Sequence, residues 1–408
     1  MIDMSNRMMY HINSLNTQNE KISYQMASGK AIKQGSENSL LHSSIINLED
    51  KLRVTERLQL QIQKTRALND TADSNIAEMK LSLDNIKTDL LKSLNAGMDR
   101  SDKLALAANL KGIREGLLDR VNTQIDGEYL FTGSVTYIQT MQKDTNYIQN
   151  GKVEFAGNGF LREVAVQPGS YRDRGVTAYD VIFYNTDSAT TGEEFVFNET
   201  DRIIDENGNE WKLDSTKTKI QKYDKNGDLE VPLVEYTITS STAKVVYPAD
   251  VIDRPATYTI HPFNMPEGSR FFAKRNYFDD LNIIINALEG YTTQLDGTKN
   301  TLGTGAPNGQ ISDDEVNTII REFLDRTSQQ YDATNVGHGE LGGRNAVFEV
   351  AYEKLQAQST QYNILIQETG GADLAKLAME SKSLELTYQS LYSTIAKMND
   401  LSLVKFMS

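Results

Sequence analysis

The sequence predicts an α+β protein of several domains. Both chain ends supply a discontinuous helical bundle or coiled coil, and a β-rich domain is inserted between them. Three observations carry this. Residues 1–128 hold no proline and few glycines. Residues 131–275 are rich in Val, Tyr, Thr, Gly and Asn. Helical composition returns from about residue 276 to the end, with one glycine-rich interruption. Helix, then strands, then helix is the signature of an insertion into a helical frame. The expected domains are 1–45 with 371–408 as a terminal arm, 46–133 with 276–370 as a helical rod, and 134–275 as an outer β-rich domain.

The first arm shows helical periodicity. Met8, Ile12, Leu15, Ile22 and Met26 fall at spacings of 4, 3, 7 and 4, with Asn19 in the vacant seam position. Ser28-Gly29-Lys30 predicts a turn. The pattern resumes at Leu41, Ile45, Leu48 and Leu52. A further seam runs through Ala72, Ile76, Met79, Leu83, Ile86 and Leu90. It is expected to continue past Gly97 and Gly112 through Ile113, Leu117, Val121 and Ile125.

The central region carries hairpin signals. Asn207-Gly208 and Asn226-Gly227 each stand between strand-like runs and predict type I′ turns. Strands are expected at 152–155, 163–166, 180–184, 210–213, 231–239 and 243–247. A helix is expected from Tyr277, with Leu281, Ile284, Ile285 and Leu288 on its apolar face. Ser312-Asp313-Asp314-Glu315 has capping-box spacing ahead of Ile319, Ile320, Phe323 and Leu324.

The last arm is the most regular. Leu374, Leu377, Ser381, Leu384, Tyr388, Leu391, Ile395 and Met398 alternate steps of 3 and 4. A helix over that stretch is roughly 38 Å long at the usual rise. Upstream, Phe348, Tyr352, Leu355, Tyr362 and Ile366 form a second seam, divided from the first by Gly370-Gly371.

Composition narrows the chemistry. The net charge is −14 over 408 residues, and the pI is near 4.9. Such a surface repels phosphates, so no nucleic-acid or membrane-surface partner is expected. With no cysteine in the chain, disulfides and thiolate chemistry are excluded. No basic and apolar leader opens the sequence, so any export is expected to use no cleaved signal peptide.

No enzyme, cofactor or metal site is expected. Gly337-His338-Gly339-Glu340-Leu341-Gly342 has dinucleotide-loop spacing, but a polar, helix-like stretch precedes it where a buried strand is required. It reads as a flexible loop between helices. His11, His42, His261 and His338 are scattered. Asp224-Lys225-Asn226-Gly227-Asp228 starts like a calcium loop, yet Leu229 stands where that loop needs glycine. Asp279-Asp280 and Asp313-Asp314 fall at helix starts, where the helix dipole favours acids.

Four stretches resemble a known family. Met26-Ala27-Ser28-Gly29-Lys30-Ala31-Ile32 is similar to the turn that follows the first helix of flagellar hook-associated protein 3, a flagellin-related family. Asn122 through Gly133, with Gly127, Tyr129, Leu130, Phe131 and Gly133 as its core, resembles the end of that family's first helical half. Gly343-Arg344-Asn345 resembles the opening of its returning helix. Asp373-Leu374-Ala375 with Tyr388-Gln389 and Ser402 to Phe406 resembles its C-terminal end. Val153–Phe183 is weakly similar to a β region of the family. Two departures stand out: Gln34-Gly35-Ser36-Glu37-Asn38 replaces the family's proline-bracketed turn, and the insert is longer.

The resemblance implies a structural subunit joining hook to filament, in the extracellular part of a bacterial flagellum. It implies a ring of copies of this chain, hook-associated protein 1 below, flagellin above, and a cytosolic export chaperone on the C-terminal arm during type III export. The assembly interface is expected at Met8, Ile12, Leu15, Ile22, Met26, Leu374, Leu377, Leu384, Tyr388, Leu391, Ile395 and Met398. The arms are expected to be largely disordered in the free monomer. Alternatives are flagellin itself, a secreted adhesin-like binding protein or enzyme acting through the insert, and a cytosolic coiled-coil scaffold.

Overall fold

The computed structural model describes residues 2–96, 98–246, 250, 252–261, 270–300 and 311–407, with backbone alone for 2–5, 95–96 and 398–407. The chain is α+β, with helical ends and an inserted β-rich region. It divides into two compact units, Met1–Leu60 with Ala351–Ser408 and Gln61–Val350.

The first unit holds α1 (Ile2–Ser28), the first part of α2 (Ser39–Ala96), the last part of α7 (Asp313–Gly370) and α8 (Leu374–Met407). α1 ends because Gly29 takes φ +68°, a left-handed cap that a side chain would resist. α7 ends at Gly370, and the two breaks hydrogen-bond to each other. Ala31 N donates to Gly370 O at 2.8 Å, and Ala372 N donates to Gly29 O at 2.9 Å. At the departing stretch 34–38, Asn38 Oδ1 accepts from Leu41 N at 3.1 Å and so caps α2 without proline.

The second unit contains the rest. α3 (Arg100–Val121) follows α2, so the helix does not run through Gly97 as the periodicity predicts; Gly97 itself lies outside the described residues. The restart has a local cause: Asp99 accepts from Asp102 N at 2.9 Å as an N-cap. Ile125 is likewise not helical. It sits in β1 (Gln124–Ile125), which pairs with β2 (Glu128–Tyr129). Then come β3 (Met141–Lys143), α4 (Tyr147–Asn150), β4 (Val153–Phe155), β5 (Arg162–Gln167), β6 (Ser170–Arg174) and α5 (Ala178–Val181). The strand expected at 180–184 thus starts as a helical turn, because Asp180 closes a capping box with Thr177.

The insert continues with β7 (Phe183–Thr190), β8 (Phe195–Asn198), β9 (Arg202–Asp205), β10 (Glu210–Leu213), β11 (Lys219–Tyr223), β12 (Glu235–Thr237), β13 (Ser240–Thr242), β14 (Thr257–Ile260) and β15 (Arg270–Asn276). A six-stranded sheet has the order β12-β11-β10-β9-β15-β7, and a three-stranded sheet has β13-β14-β8. The run expected at 231–239 pairs only over β12. Of the strand expected at 243–247, residue 247 lies outside the described residues; the pairing forms earlier, as β13, with Val245 in an isolated bridge to Arg254. Neither Asn-Gly turn is type I′: Gly208 and Gly227 take positive φ, but Asn207 and Asn226 do not. Each loop is instead organised by its aspartate, Asp205 or Asp224. The Oδ1 atom accepts the amides two and four residues on, at 2.8 to 3.0 Å.

Apolar residues facing each other in the two sheets make a small core: Phe195, Phe197, Trp211, Ile220, Tyr258 and Phe271 are buried. Trp211 lies 5.1 Å from both Phe271 and Tyr236, between ring centroids.

β15 leads straight into α6 (Tyr277–Leu288), where Asn276 accepts from Phe278 N at 3.1 Å. The pair β16 (Thr292–Thr293) and β17 (Lys299–Asn300) follows, and Ser312 and Glu315 form the expected capping box at the start of α7. A larger core joins the α2 seam Ala72 to Leu90 with faces of α3, α6 and α7. α7 passes unbroken through Gly337–Gly343, so that stretch is helix and not a loop between helices. Interior glycines cost about 1 kcal/mol each, and docking onto α5 offsets this. Gln330 Nε2 and Thr334 Oγ1 donate to Val181 O at 2.9 and 3.0 Å. Gly337 packs where a Cβ would overlap the Asp180 carbonyl.

Candidate functional site

Two features stand out, the paired terminal helices and the segment 122–133. In the arm, α1 packs on α8. Ile22, Leu377 and Leu384 are buried, with Leu15, Ala372 and Tyr388 against them. Tyr388 Oη donates to Asn16 Oδ1 at 2.7 Å. Met8, Ile12, Leu391 and Ile395 are half-buried. Met26 and Leu374 are exposed. The side chain of Met398 lies outside the described residues. The seam is therefore occupied largely within the chain.

Away from the seam, Met9, Tyr10, Met379, Leu386 and Tyr392 are exposed. Seam spacing does not pick these out, although Met379 and Leu386 lie one heptad apart. Only five large apolar side chains are buried among the described residues of this unit: Ile22, Leu58, Leu355, Leu377 and Leu384. Each contributes about 1.5–3 kcal/mol, which is thin support for so many ordered residues. A groove of 490 Å³ beside the paired turns, lined by Tyr24, Ile32, Ile45, Ile46 and Ile366, is left open.

The segment 122–133 is a tight hairpin fastened at every step. Asp126 and Gly127 take φ of 50° and 81°, the type I′ geometry expected of Asp-Gly. Asn122 exchanges two hydrogen bonds with the Met141 backbone, at 2.8 and 3.0 Å. Tyr129 N donates to Thr136 O, and Leu130 N donates to Thr123 O. Phe131 is fully buried in the larger core. Glu128 pairs with Arg174, with Arg162 at 3.0 Å and with Lys64 at 3.4 Å. Partial burial pushes its carboxyl up, but the Arg174 hydrogen bond and the three positive charges outweigh it and hold the pKa below the usual range.

Gly133 takes φ +79°, and a Cβ there would overlap the Asn158 carbonyl oxygen and lie 2.7 Å from Phe160 O. Gly133→Ala should destabilise the second unit by about 2–3 kcal/mol. Urea unfolding followed by Trp211 fluorescence checks this, and an unchanged midpoint would refute it.

Asp279 and Asp280 stand in the first turn of α6 as expected, but they do more than meet the helix dipole. Asp280 is fully buried. It receives Tyr184 Oη at 2.7 Å, Arg275 at 2.9 Å and Arg326 at 2.7 Å. Asp279 is largely covered, and desolvation pushes its carboxyl up to about 6 despite nearby Lys152 and Arg275. Its protonated form is thus favoured by folding. That contribution is full below the unfolded value of 3.8 and is lost as pH rises through about 6. Asp279→Asn should therefore stabilise the unit at neutral pH by about 1–2 kcal/mol and leave it unchanged in acid. Melting curves at two pH values test this.

A cleft of 420 Å³ lies between the larger sheet and α7 and includes Lys274, Phe272, Asp180 and Glu340. Burial lowers the Lys274 pKa, and its ammonium donates to Tyr179 O at 2.8 Å. Among the described residues there is no group of three His, Cys, Asp or Glu placed to hold a metal, and no helix is long and apolar enough to cross a membrane.

No curated protein matches the chain in sequence. Solved structures similar to it include FlgL from Xanthomonas campestris, at 13% identity and TM-score 0.45, covering 77% of this chain and 99% of that one. Flagellar hook-associated protein 3 from Legionella pneumophila is 15% identical, with TM-score 0.48, covering 79% of this chain and 98% of that one. A putative flagellar hook-associated protein from Vibrio parahaemolyticus is 13% identical, with TM-score 0.49, covering 82% and 100%. Residues 2–136 match the family model described as the bacterial flagellin N-terminal helical region. The first third of the chain, from the arm helix through the Asn122–Gly133 hairpin, is thus similar to the helical region of bacterial flagellins.

Proposed function

We propose that the chain is a structural subunit of the bacterial flagellum, placed where the hook meets the filament. The observation that carries this is the match of residues 2–136 to the flagellin helical region. The resemblance of Tyr129-Leu130-Phe131-Thr132-Gly133 to hook-associated protein 3 favours the joint over the filament. The exposed apolar positions on α1 and α8 support assembly through the ends of the chain. In this reading the protein is not an enzyme, and it works outside the cell after type III export. Its partners are further copies in a ring, hook-associated protein 1, flagellin, and an export chaperone on α8. The arm at 1–45 with 371–408, the rod at 46–133 with 276–370 and the outer domain at 134–275 take separate roles.

A deletion strain tests the reading. It should keep its hooks, lose its filaments and release flagellin monomers into the medium; persisting filaments would overturn it. The second reading is flagellin itself, which the same family match favours. Filament protein is made in vast excess, so low abundance in purified flagella discriminates against it. We further infer that the arms order on assembly. Hydrogen exchange should then show weak protection of residues 374–397 in the free monomer and strong protection in the assembled ring.

A further inference from the structure

The two Asn-Gly hairpin loops are chemically alike and structurally unequal. In each, the glycine amide donates to the aspartate carbonyl at 3.0 Å, Gly208 to Asp205 and Gly227 to Asp224. The first loop is locked. Asp205 is buried and also receives Trp211 Nε1 at 3.2 Å. Gly208 is buried against the Gly159 backbone. The second loop is open. Residues 225–229 are exposed, and a Cβ at Gly227 would meet nothing within 4 Å. Beyond the local bonds around Asp224 that match those around Asp205, its ties are Asn226 Nδ2 to Asp224 Oδ2 at 3.1 Å and a 3.3 Å bond from Asn158 to Lys225 O.

We propose that Asn226 is a site of spontaneous deamidation, at which the outer domain acquires a negative charge and a rearranged turn as the protein ages. An asparagine followed by glycine is prone to this reaction because no side chain shields the next amide. Gly227 N, having lost its proton to solvent base, attacks Asn226 Cγ. The Cγ–Nδ2 bond breaks, and Nδ2 leaves as ammonia with a proton from water. Water then opens the succinimide at either carbonyl, giving aspartate or isoaspartate at 226. The step requires the Gly227 amide to leave its hydrogen bond and the Asn226 side chain to swing over it, so the rate follows the free energy of opening the loop. Opening the Asp205 loop also breaks the Trp211 bond and the Gly159 contact; opening the Asp224 loop breaks little else. The product sets a second carboxylate beside Asp224. The isoaspartate form lengthens the backbone by one carbon and breaks the Asp224 N to Asp228 O bond, which is 2.8 Å here.

The test is ageing of the intact chain at mildly alkaline pH, with peptide mass spectrometry that resolves Asn207 from Asn226. Conversion at 226 should exceed that at 207 by about tenfold or more, a difference of about 1.4 kcal/mol in opening free energy. In denaturant the two rates should converge. Equal rates in the folded chain, faster loss at 207, or a ratio unchanged by unfolding would each overturn the proposal.

Discussion

Asp280→Ala is expected to destabilise the second unit by about 3–5 kcal/mol, the usual cost of removing one partner from a buried ion pair. Asp280 ties α6 to β7 through Tyr184, to β15 through Arg275 and to α7 through Arg326. The chain of charges continues from Arg326 to Glu322 at 3.1 Å, and from Glu322 to Arg254 at 2.7 Å. Removing the carboxylate leaves two arginines facing each other in the interior. Burial pushes the Asp280 carboxyl up, but Arg275, Arg326 and the Tyr184 hydroxyl outweigh it, and the net pKa is lowered. The stabilisation is therefore present above the unfolded value of 3.8 and is lost as pH falls through the lowered folded value. Urea unfolding at neutral pH should show the full loss. In strong acid the variant and the parent should approach each other. A midpoint within error of the parent at neutral pH would refute the network's role.

Leu384→Asp is expected to abolish assembly. Leu384 is 7% exposed between α1 and α8, beside Ile22 and Leu377. A carboxylate there loses the leucine burial and strands a charge in a seam that packing keeps dry, at a cost of about 3–5 kcal/mol. The second unit should stay folded, with Trp211 fluorescence unchanged. Leu386→Asp provides the contrast, because Leu386 is 56% exposed. It should leave the α1–α8 pairing and the circular dichroism unchanged, yet still block assembly if the exposed face meets a neighbour. Normal motility in the Leu384 variant would count against the arm as the assembly element. Normal motility in the Leu386 variant would confine the interface to the seam.

The legible parts of the fold were those set by neighbours in sequence. Gly29 and Gly370 end helices because a left-handed cap or a missing side chain acts on its own residue. Asp126-Gly127 acts just as locally, yet the helical spacing through Ile125 masked it, and a type I′ hairpin forms there instead. The 3–4 spacing of Leu377, Leu384 and Tyr388 names one helix face, and α8 buries that face. The Asn-Gly loops were less legible, because the Asp205 and Asp224 side chains captured the backbone amides before the asparagines could take positive φ. Of the candidate site, spacing located the seam but could not say how much of it the chain would use up within itself.

The sequence by itself determined the α+β order, the two glycine breaks and the capping box at Ser312. Only the tertiary structure decided three other matters. It carried α7 through four glycines, because Val181 and Asp180 supply a docking surface on α5. It made Asp280, an acid in the first turn of α6, a buried ionic hub, and it decided how much of the Leu377–Leu384 seam the chain fills within itself. The physical reason is common to all three. Periodicity and turn chemistry act between residues a few positions apart, whereas the burial of Asp280 is set by Tyr184, 96 positions before it, and Arg326, 46 positions after it.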